Sequence, residues 1–131
     1  MYEMFKMKNP DAVYDGKYYQ NLIKSYYKKD QKFKTTLRWV MEMVRPKQGE
    51  KILELGCGRG TYGTESSKYG AEPTFMDSSA AAIEVTKKIF EKNGKGKARF
   101  IVGDCTSDQT YGKIEKNQFD KVLCIGMVEH I

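Results

Sequence analysis

A chain of 131 residues with a formal charge of +6 is long enough for one modest core. No apolar run reaches membrane-spanning length, and no apolar segment follows Met1 as a secretory signal would require. One histidine and three cysteines in no C-x-x-C pair argue against a metal centre or a disulfide framework, and the thiols of Cys57, Cys105 and Cys124 fit a reducing, cytoplasmic setting.

The charge is uneven: residues 1–50 hold eleven Lys or Arg against six acids, and residues 51–131 hold twelve against eleven. Two helical patterns occupy the basic N-terminal part. In the first, about Lys17–Lys29, the pairs Tyr18/Tyr19, Leu22/Ile23 and Tyr26/Tyr27 recur every four residues. The second, about Asp30–Val44, puts Phe33, Leu37, Val40/Met41 and Val44 on one face, with Pro46 beyond its end. The lysines read either as a solvated helix face or as the rim of an electropositive, aromatic-lined entrance. Cations and stacking rings also serve RNA binding, but no RNA-binding motif accompanies them, so nucleic acid is not the expected partner.

The chain then changes character. Lys51–Leu55 is a short apolar run of the kind that forms a parallel strand covered on both faces. It runs into Gly56-Cys57-Gly58-Arg59-Gly60, whose glycines permit a sharp turn and a close backbone approach by a ligand. Thr61–Tyr69 reads as a helix stopped by Gly70, with its first N–H groups open toward that ligand. The spacing is G-x-G-x-G rather than the G-x-G-x-x-G of dinucleotide sites, and Glu54 stands two residues before the first glycine. A carboxylate there repels a diphosphate and favours an ammonium group, so the expected ligand is a cation with an amino-acid tail. Glu72–Asp77 is a second strand, followed by Ser78-Ser79 and a helix, and Asp77 lies seventeen residues after Gly60, near the spacing at which an acid meets a ribose diol. Ala98–Val102 is a third strand closed by Gly103-Asp104-Cys105, with Asn93–Lys97 as a polar connector before it. After a short helical stretch, Phe119–Ile125 is a fourth strand leading to Gly126–His130. Taken singly, Asp77 and Asp104 also read as helix caps or turn formers. Alternating strands and helices from residue 51 onward imply a parallel sheet with covering helices.

The run Glu54-Leu-Gly-Cys-Gly-Arg-Gly60 resembles motif I of the class I S-adenosylmethionine-dependent methyltransferases, and Phe119-Asp-Lys-Val with Glu129-His130 resembles the F-D-x-V…E-H pattern of their small-molecule branch. The resemblance covers roughly residues 48 to 131. It implies a Rossmann-like α/β fold with strand order 3-2-1-4, and S-adenosylmethionine as cofactor. It further implies that residues 1–47 form a helical cap, with Tyr14, Tyr18 and Tyr19 as lid candidates, in front of a cofactor-binding domain at 48–131. The cofactor residues it suggests are Glu54, Gly56, Cys57, Gly58, Gly60, Asp77, Ser78, Asp104, Cys105 and Ile125, with Asp104 facing the adenine amine. Glu129 and His130 are the candidate general bases, His130 having a suitable ordinary pKa; the alternative for His130 is a polar start to the next helix.

No N/D-P-P-Y/F signature follows the fourth strand, which disfavours an exocyclic or amide nitrogen acceptor of that kind. The family sheet normally has seven strands whereas this chain stops at Ile131, so a truncated member is expected, with the acceptor unassigned. Two function classes stand: a methyltransferase acting on a small molecule, or a non-catalytic S-adenosylmethionine-binding module. A nicotinamide-linked oxidoreductase is opposed by Glu54 and the glycine spacing. An open, apolar fourth strand with only Lys121 as a guard also leads to an expectation of self-association.

Overall fold

A computed structural model describes residues 16–112, 114 and 118–125. Helix α1 (Gly16–Lys28) and helix α2 (Gln31–Val44) come first. There follow β1 (Lys51–Leu55), α3 (Thr61–Ser67), β2 (Glu72–Asp77), α4 (Ala80–Asn93), β3 (Arg99–Val102), α5 (Asp108–Tyr111) and β4 (Lys121–Cys124). The four strands form one parallel sheet in the order β3-β2-β1-β4, as the resemblance implies.

In-register neighbours in a parallel sheet point the same way, so Leu123, Glu54, Phe75 and Phe100 form one row across it. Helices pack on that face. Phe75 packs with Ile83 and Phe90 of α4 and stacks on Phe100 at 5.4 Å, while Ile52 and Leu123 pack with Val44 and Tyr62. Burying a ring of this kind contributes about 1.5–3 kcal/mol, so the Phe75 cluster anchors β2 to α4. The N-terminal helices form a further layer. Tyr26 of α1 is buried against Ala82, Val85 and Ile89 of α4, and Met41 of α2 meets Ser66 of α3.

Several element ends differ from the sequence reading, each for a local reason. Helix α3 stops at Ser67 rather than Tyr69, because Lys68, Tyr69 and Gly70 donate to carbonyls three residues back. That tight last turn delivers the chain to Gly70 at φ 91. The fourth strand is shorter than 119–125. Asp120 is held at the turn, its N–H donating to Lys51 O and its carboxylate accepting from Lys51 N, both at 2.8 Å. At the other end Cys124 pairs with Leu55, the last residue of β1, so Ile125 has no partner in that strand. The third strand starts at Arg99, one residue later than expected.

Candidate functional site

Strand ends β1, β2 and β4 and the start of the segment after β3 converge on the carboxyl edge of the sheet. Gly56, Gly58 and Gly60 all have positive φ, at 59°, 57° and 69°. The loop they shape is held from below at several points. Cys57 N–H donates to Met76 O at 3.1 Å, Gly58 N–H to the Asp77 carboxylate at 3.0 Å, and the Thr86 hydroxyl to Gly58 O at 2.8 Å. Gly58 and Gly60 differ in what their missing side chains protect. A Cβ on Gly58 would meet nothing within 4 Å, so that residue faces open space. A Cβ on Gly60 would lie 2.5 Å from Thr86 Cγ2 and 3.0 Å from Phe75 Cε1. The first glycine keeps space above the loop clear, and the second lets the loop settle onto the core.

Glu54 is 3 % exposed and lies beneath the loop. Its two oxygens accept from Tyr62 N–H at 3.3 Å and Gly63 N–H at 3.2 Å, so the first turn of α3 is capped by a strand residue. The expectation of open N–H groups at this helix start is therefore corrected: Tyr62 and Gly63 spend theirs on Glu54, while Thr64 N–H bonds Gly60 O. Gly60, at the cap position, has no side chain to do the work. Burial raises the Glu54 pKa to about 8, against the lowering effect of the two amides, and the nearby Asp77 charge adds to the rise.

Asp77 joins two segments. One oxygen accepts from Gly58 N–H and the other from Ser79 N–H at 2.9 Å, while its carbonyl accepts from Gly103 N–H at 2.9 Å. It is thus a turn former, and each carboxylate oxygen retains a further lone pair for a hydroxyl donor. Ser78, beside it, is exposed, whereas Ser79 is buried and caps α4 by accepting from Ala82 N–H at 3.2 Å. Asp104 is exposed, and its Oδ1 accepts from both the N–H and the hydroxyl of Thr106, which holds its pKa below the usual carboxylate range. Cys105 is half-buried with its thiol pKa pushed up by burial, and Ile125 follows β4, 37 % exposed.

The structure therefore brings Gly56, Gly58, Gly60, Asp77, Ser78, Asp104, Cys105 and Ile125 to one edge. Cys57 turns the other way. Its side chain sits in the Phe75–Phe90 cluster, 3.5 Å from the Thr86 hydroxyl, and burial drives its thiol pKa well up. Tyr14, Glu129 and His130 lie outside the described residues, and Tyr18 and Tyr19 fall within α1. Thr86, Gly63 and Arg59 were not singled out by sequence. A Cβ on Gly63 would lie 2.4 Å from Phe75 Cε1, so this glycine lets α3 approach β2. A glycine inside a predicted helix was the available signal. Among the described residues no cluster of His, Cys, Asp and Glu is placed to hold a metal, and no helix is long and apolar enough to cross a membrane.

The chain is 30% identical over 95 residues to a ubiquinone biosynthesis O-methyltransferase of Thiobacillus denitrificans, covering 72% of this chain and 39% of that protein. It is 32% identical over 102 residues to the mitochondrial ubiquinone biosynthesis O-methyltransferase of Schizosaccharomyces pombe, covering 74% and 35%. It thus spans under two fifths of the length of these relatives. A solved SAM-dependent methyltransferase from Thiobacillus denitrificans, in complex with S-adenosyl-L-homocysteine, superposes with a TM-score of 0.56 at 27% identity, covering 69% of this chain and 35% of that one. A family model described as a methyltransferase domain matches residues 52–131, from the second residue of β1 onward, and the chain belongs to that family.

Proposed function

We propose that this chain carries the cofactor-binding part of an S-adenosylmethionine-dependent methyltransferase that acts on a small molecule. The observation that carries the reading is the Asp77–Gly58 bond. It fixes an acid with spare lone pairs against a glycine loop whose upper side is open, at the carboxyl edge of a parallel sheet. The related structure bound to S-adenosyl-L-homocysteine supports the choice of ligand. Residues 1–47 act as the cap and 48–131 as the cofactor domain. The free thiols of Cys57, Cys105 and Cys124 suit a cytoplasmic setting.

S-adenosylmethionine, when bound, supplies an electrophilic methyl group on a sulfonium. This chain's residues bind and orient it. The Gly56–Gly60 backbone cradles the amino-acid end, with Cys57 contributing main chain only. Glu54, below the loop, fixes the start of α3, and its negative charge when ionised favours an ammonium above. Asp77, flanked by Ser78, takes the ribose hydroxyls; Asp104 takes the adenine amine, with Cys105 and Ile125 beside the ring. The O-methyltransferase names of the relatives favour a hydroxyl acceptor. Such an oxygen must lose its proton, and Glu129 and His130 are the proposed acceptors of it.

Calorimetric titration tests the reading. The protein is expected to bind S-adenosylhomocysteine and not NAD; NAD binding without S-adenosylhomocysteine binding would overturn it. Methyl transfer from S-adenosylmethionine to a panel of small hydroxylated molecules separates an enzyme from a non-catalytic binding module.

A further inference from the structure

We propose that Arg59 is the positioning residue that sets the two N-terminal helices over the glycine loop, so that ligand binding and helix order are linked through it. The inference rests on the cofactor reading above. Arg59 is rooted between Gly58, tied to Asp77 and Thr86, and Gly60, seated on Thr86 and Phe75. A side chain anchored there follows the loop backbone closely. Its guanidinium leaves the loop altogether. Nε donates to Thr61 Oγ1 at 2.9 Å, Nη1 donates to the Ser25 hydroxyl on α1, and the cation lies 4.7 Å over the ring of Phe33 on α2. Phe33 in turn meets Tyr26 edge-on at 6.0 Å.

One loop residue thus touches both helices at once. Around it the boundary is not continuously packed: a cleft of about 250 Å³, lined by Ser25, Asp30, Phe33, Thr61 and Tyr62 as well as Arg59 itself, separates the helices from the start of α3. Arg59 spans that cleft as a strut. Other contacts of the helices go elsewhere, Tyr26 to α4, Met41 to α3 and Val44 to Ile52 and Leu123 of the sheet. A planar, stacking, multidentate cation suits this role, and a lysine reproduces only the charge and part of the stacking. Because coupling between sites is reciprocal, helices that hold Arg59 in place also favour the ligand-bound loop.

Hydrogen exchange with and without S-adenosylhomocysteine tests the link in the wild-type protein, Arg59→Ala and Arg59→Lys. In the wild type the ligand is expected to slow exchange over residues 16–36 and over 56–60. Arg59→Ala should still bind, about tenfold more weakly, keeping the slowing at 56–60 and losing it at 16–36. Arg59→Lys should recover part of it. Slowing at 16–36 that survives in ligand-bound Arg59→Ala overturns the proposal, as does a wild type that binds without any change there. Should Arg59→Ala not fold, Ser25→Ala and Phe33→Leu remove the two far contacts singly, and undiminished slowing in both is equally fatal. A folded wild type that fails to bind S-adenosylhomocysteine removes the cofactor reading, and this inference with it.

Discussion

Gly58, Gly60 and Gly63 do three different jobs, and substitution of the first and the last separates a ligand effect from a packing effect. Gly58→Val has room for its side chain but must hold φ near 57°, and the new atoms fill the space above the loop. Calorimetry should show S-adenosylhomocysteine binding abolished while circular dichroism shows a folded protein. Gly63→Val pushes atoms into Phe75, a core overpacking that costs about 1–3 kcal/mol, and urea titration should register that loss. Asp77→Ala should weaken ligand binding by about 1.5–3 kcal/mol, the scale of hydrogen bonds to a charged group; unchanged affinity would count against the ribose role. Glu54 makes a pH prediction. Its folded pKa, about 8, lies above its ordinary 4.5, so between those values the folded state keeps a proton that the unfolded state has released. Stability is then full below pH 4.5 and falls as pH rises through about 8, with a slope of at most about 1.4 kcal/mol per pH unit. Glu54→Gln should flatten that slope in denaturation curves taken from pH 5 to 9. The sequence made Glu54 conspicuous, since an acid inside an apolar strand needs a reason. Its destination was not legible, because nothing local to residue 54 says that the amides of residues 62 and 63 fold back beneath the loop.

Helices and strands were easier to read than their ends. The four-residue recurrence of apolar residues located α1 and α2, and Asp30 was read as the start of the second; it is the N-cap, accepting from Phe33 N–H at 2.8 Å. Asp30→Ala should cost about 1 kcal/mol in urea titration, with faster exchange in the first turn of α2 as its local signature. The strand ends depend on partners distant in sequence, which is why β4 came out shorter than its apolar run. That same strand carries the association prediction. Among the described residues β4 pairs with β1 alone, Val122 is 55 % exposed, and the guard Lys121 is tied down by Glu50 at 2.9 Å and Arg45 O at 3.0 Å. Sedimentation should show concentration-dependent self-association that Val122→Lys reduces; a strictly monomeric profile at high concentration would refute it.

Across the whole molecule, the order β3-β2-β1-β4 was legible only through the motif resemblance, since strand alternation implies a parallel sheet without ranking its members. The contact of the N-terminal helices with the glycine loop was not legible at all, because Ser25, Phe33 and Arg59 are ordinary residues until the fold brings them together. The sheet order also has a consequence in time. β1 is central: β2 follows it closely in the chain, but its other neighbour does not. The bond from Lys51 N–H to Asp120 spans 69 residues, and the Lys121–Glu50 contact spans 71. A nascent chain can therefore pair β1 with β2 and β2 with β3, and lay α4 across them, before β4 emerges from the ribosome. Throughout that interval one side of Ile52–Leu55 has no strand beside it, and closing so long a loop is slow. Among the described strands, the one leading into the glycine loop is thus the first made and, on its β4 side, the last to be paired.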